Sequence, residues 1–182
     1  EKYRPQNISD MVGNEEPREA IIKWFAKWKK GTKPLLIVGP PGIGKTTIAY
    51  LLAKQFGYDM IGLNASDVRS KSRINEILTP VLGNVSVLGT PMIFVDEVDG
   101  IHGRGDYGGA SALVDILKKP NVPILLAANY DDSDKMKSIK KAVTTISFKK
   151  IPPRLLRVYL DNILKKENEK LSPGSLIKVI DK

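Results

Sequence analysis

The stretch GPPGIGKT at residues 39–46 determines the fold of this chain. It matches the pattern G-x-x-x-x-G-K-[ST], in which glycines allow successive backbone N–H groups to point at phosphate oxygens. It follows the apolar run LLIV at 35–38, which is typical of a strand buried on both faces, and it precedes a helix predicted from about Lys45 to Phe56. A strand, a glycine-rich turn and a helix in this order predict a phosphate-binding loop in an α/β domain with a parallel sheet.

The loop supplies a backbone cradle and two side chains with chemistry of their own. We expect Lys45 to reach the β and γ phosphates and the Thr46 hydroxyl to ligate Mg²⁺. The positive end of the following helix adds attraction for phosphate. A Gly/Pro turn that happens to end in Lys-Thr is the alternative, and it leaves the flanking strand and helix unexplained. The predicted nucleotide-binding residues of this segment are Pro40, Gly42, Ile43, Gly44, Lys45, Thr46 and Thr47.

An acidic pair follows the next clear apolar run. MIFV at 92–95 ends in Asp96 and Glu97. In phosphoryl transfer, one such carboxylate can bind Mg²⁺, often through water, and the other can orient the attacking water. We therefore assign Asp96 to the metal and Glu97 to water activation. A solvated acidic pair at the end of a strand is the alternative, and the upstream phosphate loop argues against it.

A polar amide follows the third apolar run, ILLAA at 124–128. Asn129 would lie between the phosphate loop and the acidic pair if the three strands are neighbours. It could then position the water or sense the γ-phosphate. On its own, an Asn after a strand is usually a turn residue. The two upstream motifs favour the catalytic interpretation.

Helices are predicted between and beside these strands. One, over about 15–30, carries four large apolar side chains on one face, which favours core packing over a nucleic-acid site. Those side chains are Ile21, Trp24, Phe25 and Trp28. A second helix follows NASD at 64–67, whose side chains can cap it, and Pro80 should kink or end it. A third is expected around 111–119.

The pattern becomes wholly helical after about Lys150. Pro152 and Pro153 can open a helix to about Lys170, and Ser172 with Pro173 can open another. The predicted fold class is α/β, in two units. Residues 1–150 form a nucleotide-binding α/β domain with a parallel sheet flanked by helices, and 151–182 begin a helical lid domain that we expect to be truncated.

Composition excludes several classes of protein. The 182 residues are 42% hydrophobic and 27% charged, as in ordinary globular proteins. With no cysteine and one histidine, His102, neither a thiolate metal site nor a His-based metal cluster can form. No apolar run approaches a membrane span of ~20 residues, and we expect an intracellular setting. The net charge of +9 favours a polyanionic partner, with solubility alone as the alternative.

Several motifs together resemble a known family. GPPGIGKTT, FVDEVDG, AANY and the leading EKYRP resemble AAA+ ATPases of the clamp-loader group. NASDVRSK at 64–71 and DEVDGIHGRGDYGG at 96–109 are similar to large subunits of replication factor C rather than to its small subunits. The resemblance covers nearly the whole chain, and the absence of insertions favours an archaeal version.

The resemblance implies a fold, cofactors and partners. The family combines an α/β nucleotide domain with a helical lid, in a hetero-oligomer that opens a ring-shaped sliding clamp and places it on primer-template DNA. ATP and Mg²⁺ are the implied cofactors. Clamp-loader small subunits, the sliding clamp and DNA are the implied partners. The implied location is the archaeal cytoplasm, or the nucleus for a eukaryotic protein.

The same resemblance assigns further residues by position. Tyr3, Arg4, Pro5, Val12 and Gly13 fall where the family holds adenine and its flanks. From composition alone, this segment is only a polar leader.

Two segments resemble contacts with the macromolecular partners. Arg69, Lys71 and Arg73 cluster at the start of a helix that would line the interior of the assembly, where they suit phosphate contact without base readout. A solvated basic turn is the alternative. Val85, Val87 and Leu88 resemble a clamp-docking segment, although a buried strand explains them equally well.

The chain also departs from the family pattern. Small subunits carry a Ser-Arg-Cys motif after the Asn strand, whereas no Arg occurs here between Asn129 and Arg154. We therefore expect an arginine finger from a neighbour and slow hydrolysis by the chain alone. Tyr107 stands where Arg is expected, which weakens a DNA role for its loop, and no GDLR-like lid arginine precedes Lys182. An ATP-dependent scaffold with little hydrolysis, a checkpoint loader and a branch-migration helicase remain alternatives.

Overall fold

A computed structural model describes residues 2–64, 67–68, 70–83, 89–102, 108–130 and 134–180. Within these ranges the strands are β1 (Leu35–Val38), β2 (Tyr58–Leu63), β3 (Thr90–Val95), β4 (Ile124–Ala128) and β5 (Thr144–Ser147). The helices are α1 (Glu15–Ala26), α2 (Lys45–Phe56), α3 (Lys71–Gly83), α4 (Gly109–Lys118), α5 (Asp134–Ala142), α6 (Pro153–Glu167) and α7 (Pro173–Ile180). Short 3₁₀ turns occupy Ile8–Asp10 and Val98–His102.

The strands form one parallel sheet in the order β2-β3-β4-β1-β5, which confirms the predicted fold class. Successive side chains of β4 point to opposite faces. Leu125 packs with the buried residues of α1 and α2, and Leu126 packs with those of α3, α4 and α5. Helices therefore cover both faces, and the central strands are buried on each side, as their apolar runs require.

Several predicted elements have the expected bounds. β1, α2 and β4 begin and end at the predicted residues. The predicted core face of α1 is confirmed at Ile21 and Phe25, which are buried, whereas Trp24 is half-buried, as is Trp28 beyond the end of the helix. α1 is shorter than expected, ending at Ala26, because the chain then turns so that the Gly31 N–H donates to the Pro120 carbonyl at 3.0 Å.

The cap of α3 differs from the prediction. Ser70 caps the helix, its Oγ accepting the Arg73 N–H at 3.2 Å. Asn64 and Asp67 instead close a turn on each other, the Asn64 N–H donating to Asp67 Oδ2 at 3.0 Å. The side chains expected to cap the helix are thus used one turn earlier, by a local hydrogen bond that competes with capping.

The end of α3 also corrects the prediction, because the helix continues past Pro80 to Gly83. Proline interrupts a helix partly by depriving the carbonyl four residues back of its donor. Here that carbonyl belongs to Glu76, which is exposed, so water can replace the missing N–H.

Both edge strands and α5 escaped the sequence analysis, whereas the helices after the sheet did not. Pro153 occupies the first turn of α6, and the Ser172 Oγ accepts the Ser175 N–H at 3.2 Å at the start of α7, as predicted. In the described part of the chain, no helix is both long and apolar enough to cross a membrane.

Candidate nucleotide-binding site

The candidate site lies where three parallel strands end side by side. β4 pairs with β1 on one side and with β3 on the other. The carboxyl ends of neighbouring parallel strands meet at one edge of the sheet, where α/β proteins hold their ligands. The phosphate loop, the acidic pair and Asn129 therefore converge, as the sequence predicted on condition that the strands were neighbours.

Lys45 is the centre of this arrangement. Only 7% of its surface is exposed. Its Nζ donates to the carbonyl oxygens of Gly39 and Pro40, at 2.7 and 2.8 Å, and to Asn129 Oδ1 at 2.8 Å. The amide of Asn129 and the loop are thus held to one cation. A phosphate beside this ammonium would be strongly stabilised because little water screens the charge.

The environment of Lys45 also affects its protonation. Burial lowers the pKa of its ammonium, while the nearby carboxylates of Asp96, Asp99 and Glu97 act in the opposite direction. Burial is the larger influence. The folded protein therefore favours the neutral amine more than water does, and an anionic ligand would restore preference for the charged form.

The glycines of the loop are required by the backbone and by its neighbours. Gly42 and Gly44 have φ of +78° and +93°, the left-handed region that other residues rarely adopt. A Cβ at Gly44 would lie 2.8 Å from the Met11 Cε. At Gly39, a Cβ would collide with the Phe148 carbonyl oxygen. These positions keep the backbone open for close approach by phosphate.

The predicted metal ligands are in direct contact. The Thr46 hydroxyl donates to Asp96 Oδ2 at 2.6 Å. Within the described ranges, no three His, Cys, Asp or Glu side chains gather into a metal cage. Mg²⁺ does not need one, because it binds through one or two protein oxygens with phosphate oxygens and water completing its shell. Thr46 and Asp96 therefore fit a nucleotide-bound Mg²⁺.

Glu97 adopts a strained backbone beside the metal ligands. Its φ is +51°, and its N–H donates to Asp96 Oδ1 at 2.9 Å. A non-glycine residue in this conformation costs about 1–3 kcal/mol, and such strain clusters at functional sites. The Glu97 side chain is exposed at the edge of the cavity, where it can contact water.

Asp99 is a site residue that the sequence analysis missed. It lies in the first part of the turn Val98–His102, and its carboxylate accepts hydrogen bonds from the N–H groups of Asn129 and Tyr130, at 3.2 and 3.4 Å. The signal was present in the acidic spacing D-E-x-D at 96–99. The contact of Asp99 becomes visible only in the fold, because the pairing of β3 with β4 brings the turn after β3 beside the residues that follow β4.

A cavity of about 330 Å³ opens above the loop. It is lined by Arg4, Pro41, Gly42, Gly44, Lys45, Thr46, Thr47, Asp96, Glu97 and Asn129. An adjoining, more apolar cavity of about 210 Å³ is lined by Pro5, Asp10, Met11, Val12, Gly42, Ile43, Gly44, Thr47, Ile151, Leu156 and Tyr159. One cavity offers donors and a cation, and the other offers the apolar walls that suit a nucleobase.

The predicted adenine residues divide between these regions. Pro5 and Val12 line the apolar cavity, whereas Arg4 lines the phosphate cavity, with its guanidinium 5.7 Å from the centre of the Tyr50 ring. A Cβ placed on Gly13 would lie 3.5 Å from the Ile151 side chain, so Gly13 lies beside that wall of the apolar cavity. The leader thus crosses from one cavity to the other, and the assignment of these residues to adenine and its flanks stays a prediction.

Tyr3 lies beyond both cavities and ties the leader to α6. Its hydroxyl donates to a Glu167 carboxylate oxygen, which Lys2 Nζ also contacts at 2.6 Å. The Tyr159 hydroxyl donates to the Tyr3 carbonyl at 2.7 Å. Tyr3 thus holds the wall of the base cavity without lining it.

The predicted macromolecular contacts lie elsewhere. Lys71 and Arg73 are exposed in the first turn of α3, where Arg73 pairs with Glu76 at 2.9 Å. Neither lines the phosphate-loop cavity or the adjoining apolar cavity. Arg69, Val85, Val87, Leu88 and Tyr107 lie outside the described residues.

Comparison with known families agrees with this geometry. The model of the ATPase family associated with various cellular activities (AAA) matches residues 35–167. The match spans the phosphate loop, the acidic pair and Asn129. The chain belongs to the AAA family.

Its curated relatives include archaeal replication factor C large subunits, which confirms the predicted resemblance. The chain is 41% identical to that of Thermofilum pendens, over 100% of this chain and 45% of the relative. It is 35% identical to that of Archaeoglobus fulgidus, over 100% and 40%, and 40% identical to that of Methanosphaera stadtmanae, over 92% and 32%. The chain spans less than half the length of each.

Among solved structures, a RuvB mutant from Thermotoga maritima shares the fold with a TM-score of 0.72. The alignment covers 97% of this chain and 59% of that one at 14% sequence identity. This likeness supports the architecture alone.

Proposed function

We propose that this chain is the ATP-binding and hydrolysing part of a clamp-loader large subunit, which opens a sliding clamp and loads it onto primer-template DNA. The observation that carries the proposal is the junction at the strand ends, where Lys45 contacts Asn129 and Thr46 contacts Asp96. Similarity to replication factor C large subunits supplies the biological role.

Each residue of the junction has a task in ATP hydrolysis. Lys45 and the loop N–H groups hold the β and γ phosphates. Thr46 and Asp96 hold Mg²⁺, which when bound neutralises charge on the phosphates. Glu97 accepts a hydrogen bond from the attacking water and directs it in line with the γ-phosphate. The side-chain oxygen of Asn129 accepts a hydrogen bond from Lys45. This contact orients the side chain so that its amide nitrogen can donate a hydrogen bond to the γ-phosphate.

The apolar cavity is proposed to hold adenine between the α/β domain and the lid. Met11, Val12 and Ile43 contribute walls from one side, while Leu156 and Tyr159 contribute walls from α6. We take residues 1–150 as the nucleotide domain and 151–182 as the start of the lid. A base that touches both units can link nucleotide occupancy to the position of the lid.

Hydrolysis is proposed to require an arginine from a neighbouring small subunit. Small subunits carry their Ser-Arg-Cys motif after the Asn strand, and this chain has no Arg between Asn129 and Arg154 from which it could supply a finger to a neighbour. Glu97 lies on the exposed side of its cavity, which a neighbour can approach. A finger supplied in trans raises rates by roughly 10³–10⁵.

DNA and the clamp are the proposed macromolecular partners. Arg69, Lys71 and Arg73 would contact DNA phosphates, and Val85, Val87 and Leu88 would contact the clamp. The charge of +9 supports the first of these contacts. We place the protein with the archaeal chromosome in the cytoplasm.

The deciding experiment measures ATP hydrolysis by the chain alone and mixed with small subunits, clamp and primed DNA. We expect strong stimulation in the full mixture, reduced roughly 100-fold or more by Glu97→Gln with ATP affinity retained. Glu19→Gln, an exposed acid on α1, is the matched control and should leave the rate unchanged. Tight ATP binding without stimulation in any mixture would instead support an ATP-dependent scaffold.

A further inference from the structure

The end of β4 is held on one side by a carboxylate rather than by a strand. Pairing between β3 and β4 runs from Ile93 opposite Ile124 to Val95 opposite Leu126. Beyond Val95 the chain leaves the sheet, and the two residues that follow β4 meet the turn that comes next. Asp99 Oδ1 accepts the Asn129 N–H at 3.2 Å, and Oδ2 accepts the Tyr130 N–H at 3.4 Å.

The turn that carries Asp99 is itself fixed to the core. Val98 and Ile101, on either side, are fully buried among the residues under α3, α4 and α5. The Gly100 N–H donates to the Glu97 carbonyl at 2.8 Å, which closes the turn. The Asp99 carboxylate therefore has a defined position relative to Glu97, two residues earlier.

A continuous path of contacts results. The Asp99 carboxylate holds the backbone of Asn129, and the Asn129 side chain holds Lys45 at 2.8 Å. Lys45 in turn contacts the loop carbonyls of Gly39 and Pro40. The acidic turn, the end of β4 and the phosphate loop thus form one hydrogen-bonded unit. A shift of Asn129 toward or away from a γ-phosphate would be felt at the turn that orients Glu97.

We propose that Asp99 is a positioning residue that clamps the backbone of Asn129 and couples it to the turn bearing Glu97. The inference rests on the proposed function, because Asn129 and Glu97 receive their tasks there. Asp99 acts through these two residues without touching the nucleotide. Its removal should therefore lower kcat while changing ATP binding little, since Lys45, Thr46 and the loop are retained.

The test uses Asp99→Asn, which preserves the size of the side chain and removes its charge and one of its two acceptors. In the nucleotide-free protein, amide exchange by NMR should accelerate at Asn129 and Tyr130 by about 10-fold or more, while Ile93 and Leu125 keep their rates. In the complete clamp-loader mixture, kcat should fall roughly 10- to 100-fold. The ATP Kd should change by less than about threefold, because the phosphate contacts remain.

A double-mutant cycle separates positioning from a general structural effect. If Asp99 acts through Asn129, Asp99→Asn should add little to the loss already caused by Asn129→Ala. Asp99→Glu, which restores the carboxylate, should recover part of kcat and slow the exchange at Tyr130. Asp115→Asn, an exposed acid on α4, is the matched control and should change neither readout.

Two results would overturn the proposal. One is unchanged amide exchange at Asn129 and Tyr130 in Asp99→Asn. The other is that Asp99→Asn lowers kcat by the same factor in the wild-type protein and in Asn129→Ala. If Asp99→Asn is too unstable to assay, Asp99→Glu serves for the same test. Amide exchange at Tyr130 in the wild-type protein can also decide: a rate as fast as that of an unprotected loop would contradict a hydrogen bond from Tyr130 to Asp99. Failure of the proposed function would look different. Glu97→Gln would then leave hydrolysis unchanged, while the exchange data would still decide whether Asp99 clamps Asn129.

Discussion

The two ends of the nucleotide site are built in different ways. At the phosphate end, β1, β3 and β4 are buried strands, and Lys45 is almost enclosed. At the base end, one wall includes the buried Met11 and Ile43, and the other consists of α6, in which no side chain is fully buried, and of Pro5 from the leader. The phosphate end is thus fixed by the core of the domain, and the base end is completed by surface contacts.

This difference indicates where the molecule can respond to nucleotide. Asn14 holds the backbone of Lys149 through two hydrogen bonds, at 2.7 and 2.9 Å, and thus anchors the segment before α6. Beyond that anchor, α6 has no fully buried side chain, and it meets the leader through the exposed Glu167 contacts and the part-buried Tyr159 hydrogen bond. Regions with few buried apolar contacts open at low free energy. We therefore expect the phosphate end to be preformed and the base end to close on the ligand.

The largest effect is expected from Lys45→Met. The variant removes a desolvated cation from three oxygens and from the phosphates, which should cost about 3 kcal/mol of binding, or roughly 150-fold in Kd. Inorganic triphosphate and ATP should lose affinity equally, as calorimetry can show. Lys54→Met, at the exposed end of the same helix, is the control. A loss for ATP much larger than for triphosphate would contradict a phosphate role for Lys45.

A pair of glycine substitutions at the two ends of α2 should give the next largest effect. Gly44→Ala and Gly57→Ala place alanine at positive φ, +93° and +69°. The Gly57 position is open, so only backbone strain of about 1 kcal/mol is expected. At Gly44 the new Cβ would also lie 2.8 Å from the Met11 Cε, the movable end of a flexible side chain, so the expected cost rises modestly, to about 1.5–2 kcal/mol.

Urea unfolding measures both variants, and ATP binding supplies a second readout. Gly44→Ala should also weaken ATP binding, because Met11 lines the base cavity and must move. Gly57→Ala should bind ATP normally. Equal destabilisation by the two substitutions would show that the loop is not closely packed against Met11.

Tyr159→Phe tests the base end alone. The substitution keeps the ring in the apolar cavity and removes the hydrogen bond to the Tyr3 carbonyl, which contributes about 1 kcal/mol. ATP affinity should fall by roughly fivefold, while triphosphate affinity stays constant. An equal loss for both ligands, measured by the same calorimetry, would mean that the two ends of the site are not separable.

The sequence predicted the phosphate end far better than the base end, for a physical reason. β1 and β4 are continuous apolar runs because both faces are covered, and the motif residues sit directly after them. Lys45, Asp96 and Asn129 could therefore be placed from order along the chain. Asp99 could not, because its partner Asn129 is 30 residues away, beyond α4 and β4.

The edges of the sheet and the leader carried weaker signals. β2 and β5 each pair on one side only, so YDMIGL and TTIS mix polar with apolar residues and lack a buried run. The leader was assigned to the base by resemblance, and only the fold shows Arg4 among the phosphate-loop residues. Long-range packing fixes these positions, and no local pattern encodes it.

The smallest effect is expected from the exposed contact between the leader and α6, and it depends on pH. Hydrogen bonds from Lys2 and Tyr3 lower the pKa of the Glu167 carboxyl, and Glu167 in turn raises the pKa values of Lys2 and Tyr3. A depressed carboxyl stabilises the contact above its ordinary value of 4.5 and loses that effect as pH falls through the lowered pKa. The contribution of Lys2 and Tyr3 to the stability of the contact is fully present below their ordinary pKa values of 10.5 and 10.0. It is lost as pH rises through the raised pKa values.

The contact should therefore be constant through neutral pH and weaken in acid and in strong alkali. Carbon-13 NMR of the Glu167 carboxyl should report titration below 4.5, and the Tyr159 ring signals should change over the same acid range. In Glu167→Gln the acid transition of the Tyr159 signals should disappear, whereas in Glu169→Gln it should persist. Titration of Glu167 at its ordinary value would show that Lys2 and Tyr3 do not hold it in solution. The leader would then be held to α6 by the Tyr159 hydrogen bond without help from Glu167, and the base end would be looser still than the phosphate end.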